Sequence, residues 1–168
     1  GKDRLTALAC RVSSRPHWVR GFHTWMLGLA SQWMGVSGLH ANSVAPVLVS
    51  REQGRRKSSF CRALMPDVLA RYYTDNLKLT SQGQAERMLA EMGMLNMDEF
   101  DKYAESKMPL LKNLMQMSVL NIRKAYQQNF RQLPRIASFI GTSNRFDLLT
   151  DPTGSRRFLC IEVKHDID

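Results

Sequence analysis

The sequence predicts an α/β fold: a largely parallel sheet covered by helices on both faces, preceded by a helical extension over residues 1–40. Three observations carry this. Apolar runs of strand length at 46–50, 92–97, 136–140 and 157–163 are separated by stretches whose apolar residues recur at helical spacing. The first of these runs breaks into a polar loop that ends in Lys57-Ser58 at the head of a helix, the order in which a P-loop is built. A chain of 168 residues, 43% hydrophobic, is also long enough to bury one full core.

The elements follow in order. Leu5, Leu8, Ala9 and Val12 mark a first amphipathic helix behind Asp3, ending near Pro16. Phe22, Trp25, Met26, Leu29, Ala30, Trp33 and Met34 continue the helical period until Gly35 and Gly38 stop it, a stripe that reads as core packing. Together these form a helical lead-in expected at the edge of the sheet. A helix from Lys57 to Leu64 ends before Pro66, and Leu69–Tyr73 reads as a short strand. Ala85, Met88, Leu89 and Met92 lie on a helix behind Ser81 and Gly83, and another helix covers 106–117. Gly141–Asn144 reads as a turn. The chain stops just past its last strand and reads as a piece of a longer protein, with 41–168 as its core domain.

Charge narrows the partners. A net charge of +9 and a pI near 9.9 favour an anionic partner, nucleic acid ahead of a membrane surface. Cys10, Cys61 and Cys160 are far apart and odd in number, so neither a disulfide framework nor a metal-binding spacing emerges, and a cytoplasmic location is expected. His17, His23 and His40 have no partners at metal spacing. No stretch has the length of a membrane span, so no membrane partner is expected.

Four constellations carry chemistry. In the loop, Gln53, Gly54, Arg55, Arg56, Lys57, Ser58 and Ser59 are the candidate nucleotide-binding residues. Backbone N–H groups can surround phosphate oxygens, Lys57 can neutralise the terminal phosphates, and the Ser58 hydroxyl can ligate Mg2+. Arg51 and Arg56 stand where a P-loop has its bracketing glycines, so a solvated basic turn is the competing reading. Second, the strand ending in Met97-Asp98-Glu99 places one carboxylate to hold the Mg2+ shell with Ser58 and another to polarise an attacking water; Asp98 takes the first role and Glu99 the second. Asp101 reads as a solvated spare, and acids that merely cap a strand are the alternative. Third, Phe139–Asn144 ends in an amide that can reach the γ-phosphate or the water beside it; an ordinary Ser-Asn turn competes. Fourth, Arg156 and Arg157 follow Gly154-Ser155 before a strand and can act across a subunit interface on the transferring phosphoryl group; a basic turn facing solvent competes. All four are expected at the edge where parallel strands finish.

Gln53-Gly54 with Lys57-Ser58, Met97-Asp98-Glu99, Phe139–Asn144 and Gly154–Phe158 together resemble the virulence-associated protein E family, over roughly residues 40–163. That family is a branch of P-loop ATPases similar to superfamily-three helicases and to the helicase parts of phage and plasmid primases. The resemblance implies an AAA+-like core binding ATP and Mg2+, with a Walker A at 51–58 and a Walker B at Asp98-Glu99. It also implies a sensor at Asn144 and arginine-finger candidates at Arg156 and Arg157; a finger acting on a neighbouring subunit requires a homo-oligomer, such as a ring. Between Walker B and sensor it implies a DNA-touching segment, here with Arg123, Lys124, Tyr126 and Arg131, and Arg135 beyond. A basic stretch with an aromatic residue can neutralise phosphates and stack on a base, single-stranded DNA being the favoured partner; a charged hairpin is the alternative. The expected function is ATP hydrolysis coupled to movement on DNA within a primase-helicase-like protein of a mobile element or phage. Its rivals are a DNA-binding module with a degenerate, non-hydrolysing loop and a nucleotide-dependent protein-interaction switch.

Overall fold

The computed structural model of the chain describes residues 3–36, 41–123, 128–149 and 156–168. Five strands form one sheet in the order β2-β3-β6-β1-β7: β1 Ala45–Val49, β2 Tyr73–Thr74, β3 Met94–Met97, β6 Ser138–Ser143 and β7 Phe158–Glu162. Every pairing in it is parallel. The C-terminal ends of all five strands therefore share one edge, and their N-terminal ends the other.

The period-two alternation of the strands divides the core in two. Leu48, Met94, Ile140 and Ile161 point to one face, where α1 (Arg4–Cys10), α2 (Pro16–Trp33) and α3 (Lys57–Ala63) cover them. Ala45, Leu95, Met97 and Phe139 point to the other, under α4 (Gln82–Glu91) and α5 (Met108–Gln116). In α2 the stripe Trp18, Phe22, Trp25, Leu29 has the four-three-four spacing of one helical face, and all four residues are buried. Burial on this scale stabilises by about 2 kcal/mol or more per large side chain. The expected lead-in therefore does not sit at the sheet's edge. It covers a whole face, because a stripe of two indoles and a phenyl ring needs a surface wider than an edge. Caps fix the helix starts: the Asp3 carboxylate accepts from Thr6 N at 3.0 Å, and Ser81 Oγ from Gln84 N at 3.4 Å.

Two further expectations change. Residues 67–72 form a 3₁₀ helix, and only Tyr73 and Thr74 pair, with Met94 and Leu95. The 69–73 run has one side chain, Leu69, that reaches the core before Tyr73, which is too little for a strand with two buried faces. Gly141–Ser143 is not a turn but the last part of β6, registered against Val47–Val49. A Cβ at Gly141 would meet the Met97 carbonyl oxygen at 3.3 Å, so the glycine lets β3 and β6 run on side by side.

Between α5 and β6 the chain makes an antiparallel hairpin, β4 Val119–Arg123 and β5 Phe130–Pro134, separate from the main sheet. Leu120 plugs it into the α4–α5 side of the core. Its two ends are neighbours, for Arg135 N donates to Ser118 O at 2.9 Å.

Candidate functional site

At the C-terminal edge of the sheet, the loop after β1, the end of β3 and the end of β6 enclose a concavity of about 390 Å³. Gln53–Ser59, Asp98, Glu99, Thr142, Ser143 and Asn144 line it. Every loop, acidic and sensor candidate read from the sequence is therefore brought to one place by the parallel register.

Lys57, the first residue of α3, is only 8% exposed. Its ammonium donates to Ser50 Oγ at 2.5 Å and to Asn144 Oδ1 at 2.9 Å, so the lysine folds back under the loop and touches the end of β6. Burial lowers its pKa from the ordinary lysine value, against the pull of Asp98 and Asp101. Ser58 Oγ donates to Asp98 Oδ1 at 2.6 Å, and Thr142 Oγ1 donates to the same oxygen at 2.7 Å. The Glu99 backbone N–H donates to Thr142 Oγ1 at 3.2 Å, which ties the ends of β3 and β6 together. The Glu99 side chain pairs with Lys102 at the rim.

Two backbone positions here are left-handed without glycine: Arg56, with φ 56°, and Glu99, with φ 52°. Residues of this kind cost of order 1 kcal/mol and collect at working sites. Arg56 thus holds the conformation that the absent glycine of the loop would adopt freely, and Gly54, with φ 81°, supplies the other left-handed turn. Arg51, the second arginine in a glycine position, stacks over the Phe146 ring at 4.2 Å from its centroid. Arg55 turns its guanidinium away to Glu52 and Asp166, at 3.0 Å from the latter, leaving its backbone to the loop.

Asp101 is not a solvated spare. It is half-buried and accepts from Ser143 Oγ at 2.8 Å and from Asn144 N at 3.4 Å, holding the strand end that carries the sensor candidate. Thr142, Ser50 and Asp101 are the site residues that motif reading missed. Their only signal was position, each lying within three residues of a strand's polar end.

The Arg-Arg pair is elsewhere. Arg156 and Arg157 precede β7, and the Arg157 carbonyl accepts from Ala45 N at 2.7 Å at the start of β1. They lie at the N-terminal edge of the sheet, opposite the concavity. A residue just before a parallel strand must lie there, so the expectation of one shared edge fails for geometric reasons. Arg156 is exposed, while the Arg157 guanidinium meets the side-chain amide of Gln116 on α5. Gly154 and Ser155 lie outside the described residues.

The nucleic-acid candidates divide likewise. Lys124 and Tyr126 lie outside the described residues. Arg123 pairs with Phe130 across the hairpin and Arg131 with Ile122, so the two arginines belong to opposite faces of it. The Arg123 guanidinium stands 5.5 Å from the centroid of the Phe130 ring, which is 64% exposed. Phe130 is an exposed aromatic of the hairpin that the sequence reading did not single out. Arg135 is not available to a polyanion. It is 3% exposed and donates to the carbonyls of Asn42, Leu114, Met115, Met117 and Ala137 at 2.6–3.2 Å, and to Gln32 Oε1 at 3.2 Å.

Among the described residues no cluster of three or more His, Cys, Asp or Glu could hold a metal alone, and no helix is long and apolar enough to cross a membrane. The Ser58–Asp98–Thr142 group, all oxygen, matches a hard cation that takes its remaining ligands from phosphate and water.

Comparison with known proteins supports the fold. The chain resembles structures of the NrS-1 C-terminal region: two A-form apo structures, at 18% identity with a TM-score of 0.63 and at 17% with 0.61, and another apo structure at 17% with 0.55. The matches cover 96–98% of this chain but only 37–38% of those chains, so it spans well under half their length. No curated protein matches the chain. The family model for the virulence-associated protein E-like domain matches residues 1–168, from end to end. A parallel sheet whose strand ends gather Lys57, Asp98 and Asn144 thus comes with a family: this chain belongs to the virulence-associated protein E-like domains.

Proposed function

We propose that the concavity binds the phosphates of ATP and that the chain is the ATP-hydrolysing part of a DNA-processing, primase-helicase-like protein of a mobile element or phage. The observation that carries this reading is the convergence on one edge of a buried lysine, a serine–aspartate pair and an asparagine. The N–H groups of the Arg51–Ser58 loop surround the phosphates, in the manner of a P-loop in an AAA+-like core. Lys57 exchanges Ser50 and Asn144 for phosphate oxygens. Ser58 and Asp98 hold Mg2+, which supplies neutralisation of the phosphate charge. Glu99, released from Lys102, orients the attacking water and takes up its proton. Asn144, steadied by Asp101, contacts the γ-phosphate side of the site.

In this reading Arg156, exposed at the far edge, serves a neighbouring copy rather than its own site, in a ring where one subunit's N-terminal sheet edge faces the next subunit's nucleotide. The hairpin, with Arg123 and Phe130 exposed on one face and Arg131 exposed on the other, is the DNA-contacting element in this reading.

The test is steady-state ATPase activity of the wild type against Lys57→Ala and Glu99→Gln, with single-stranded DNA present. Both variants should fall at least 100-fold. Equal rates in all three would sink the catalytic assignment.

A further inference from the structure

A second cavity, of about 200 Å³, adjoins the first and shares Arg56 and Ser59 with it. It lies between α1, α3 and the chain's last two residues, and its walls are Leu8, Phe60, Ala63, Leu64 and Ile167. Arg11 and Asp168 close its outer side, and Arg11 Nη1 donates to the Asp168 carbonyl at 3.1 Å.

We infer that this cavity takes the base of the bound nucleotide, by stacking and apolar contact, with loose selection among bases. The inference rests on the phosphate reading of the neighbouring concavity and adds what that reading leaves open. Position supports it first. From Ser59 to Ala63 the α3 axis rises about 6 Å, so the cavity begins at the phosphate corner and runs on by about the length of a ribose. Size agrees. At about 30 Å³ of liquid per water, the space equals six or seven waters, enough for a planar bicycle.

Chemistry then limits the selectivity. Five of the lining side chains are hydrocarbon, and two guanidinium groups, Arg11 and Arg56, lie at the rim, where such groups stack on aromatic planes. Of the lining polar groups, the Asp168 carbonyl already accepts from Arg11. A site that hydrogen-bonds a ligand's edge rejects the wrong edge by factors of about 10⁴, whereas an apolar slot discriminates by only about 10–200. Leu8 and Arg11 of the N-terminal region thereby become part of the nucleotide site.

The experiment is calorimetric titration of the chain with Mg2+ and, in turn, ATP, GTP, CTP and inorganic tripolyphosphate. ATP and GTP should bind within about tenfold of one another, and both at least tenfold tighter than tripolyphosphate. Ala63 is exposed, so Ala63→Trp can fill the cavity without entering the core, and it should erase the nucleotides' advantage. Arg11→Ala, at an exposed residue that caps α1 through its backbone, should weaken ATP severalfold. Tripolyphosphate binding as tightly as ATP overturns the base subsite and leaves the phosphate reading standing. A preference for one base above 100-fold, or an advantage untouched by Ala63→Trp and Arg11→Ala together, also overturns it. Failure of all four ligands overturns the phosphate reading and this inference with it.

Discussion

Among the described residues two cations are buried, and they are used in opposite ways. Lys57 is 8% exposed and Arg135 3%. Lys57 spends its hydrogen bonds on two side chains, Ser50 and Asn144, at the wall of an open concavity. Arg135 commits its guanidinium to five backbone carbonyls and one side-chain amide, with no carboxylate partner among the described residues. Three of those carbonyls end α5, where the helix dipole adds to the attraction. Burial pushes Arg135 down to about 10, still charged at neutral pH. One cation can change partners when an anion arrives. The other is saturated by groups that cannot leave, and it rivets α2, α5 and β6 where the hairpin rejoins the sheet. Burial alone therefore does not mark a functional charge; exchangeable partners do.

This contrast can be broken, beginning with the largest effect. Arg135→Met removes a fork that satisfies five carbonyls in a dry interior and should destabilise by about 3–5 kcal/mol in urea unfolding, without a selective effect on nucleotide affinity. Arg135→Lys should recover only part, since one ammonium cannot span the same acceptors. Lys57→Met should do the reverse. Triphosphate affinity should fall at least tenfold, about 1.4 kcal/mol or more, while the unfolding midpoint moves little. If the two variants gave the same pattern, the distinction between the cations would be lost.

A smaller effect is expected at Arg56. Arg56→Gly relieves the left-handed strain but loosens the unfolded chain, for a net gain of about 0.5–1 kcal/mol by thermal unfolding. The smallest concerns protons. Lys57 has a folded-state pKa lowered by burial, so between that pKa and 10.5 the unfolded chain holds the extra proton and stability rises with pH. A bound triphosphate favours the ammonium and raises the pKa again. Calorimetry between the lowered Lys57 pKa and 10.5, in two buffers of different ionisation enthalpy, should thus show net proton uptake on binding, absent in Lys57→Met.

Much of the fold was legible because the strands carry their own signal. β1 is a continuous apolar run, β3 and β6 carry apolar stretches, and all three are buried along their whole length with polar residues following or closing them, so Lys57, Asp98 and Asn144 could be named from order alone. What escaped depends on contacts between distant parts of the chain. Asp101 looks like one more acid after a strand, and only the fold brings it to Ser143, 42 positions away. Arg135 looks like the end of a basic stretch, and only packing turns it inward. The placement of Arg156 and Arg157 was a different error. Their position before β7, not after it, already implied the far edge of a parallel sheet. The 69–73 run misled because its apolar residues meet only a two-residue pairing and a helical turn.

The near-contact of Arg135 N with Ser118 O has one more consequence. The hairpin leaves and rejoins the body of the protein through what is geometrically a single doorway, so its length adds little loop-closure entropy to folding. Arms of different reach, charge or aromatic content could be exchanged there without shifting a strand of the main sheet, provided that a residue like Leu120 still fills the socket beneath. The hairpin is built as a replaceable head on a fixed α/β body.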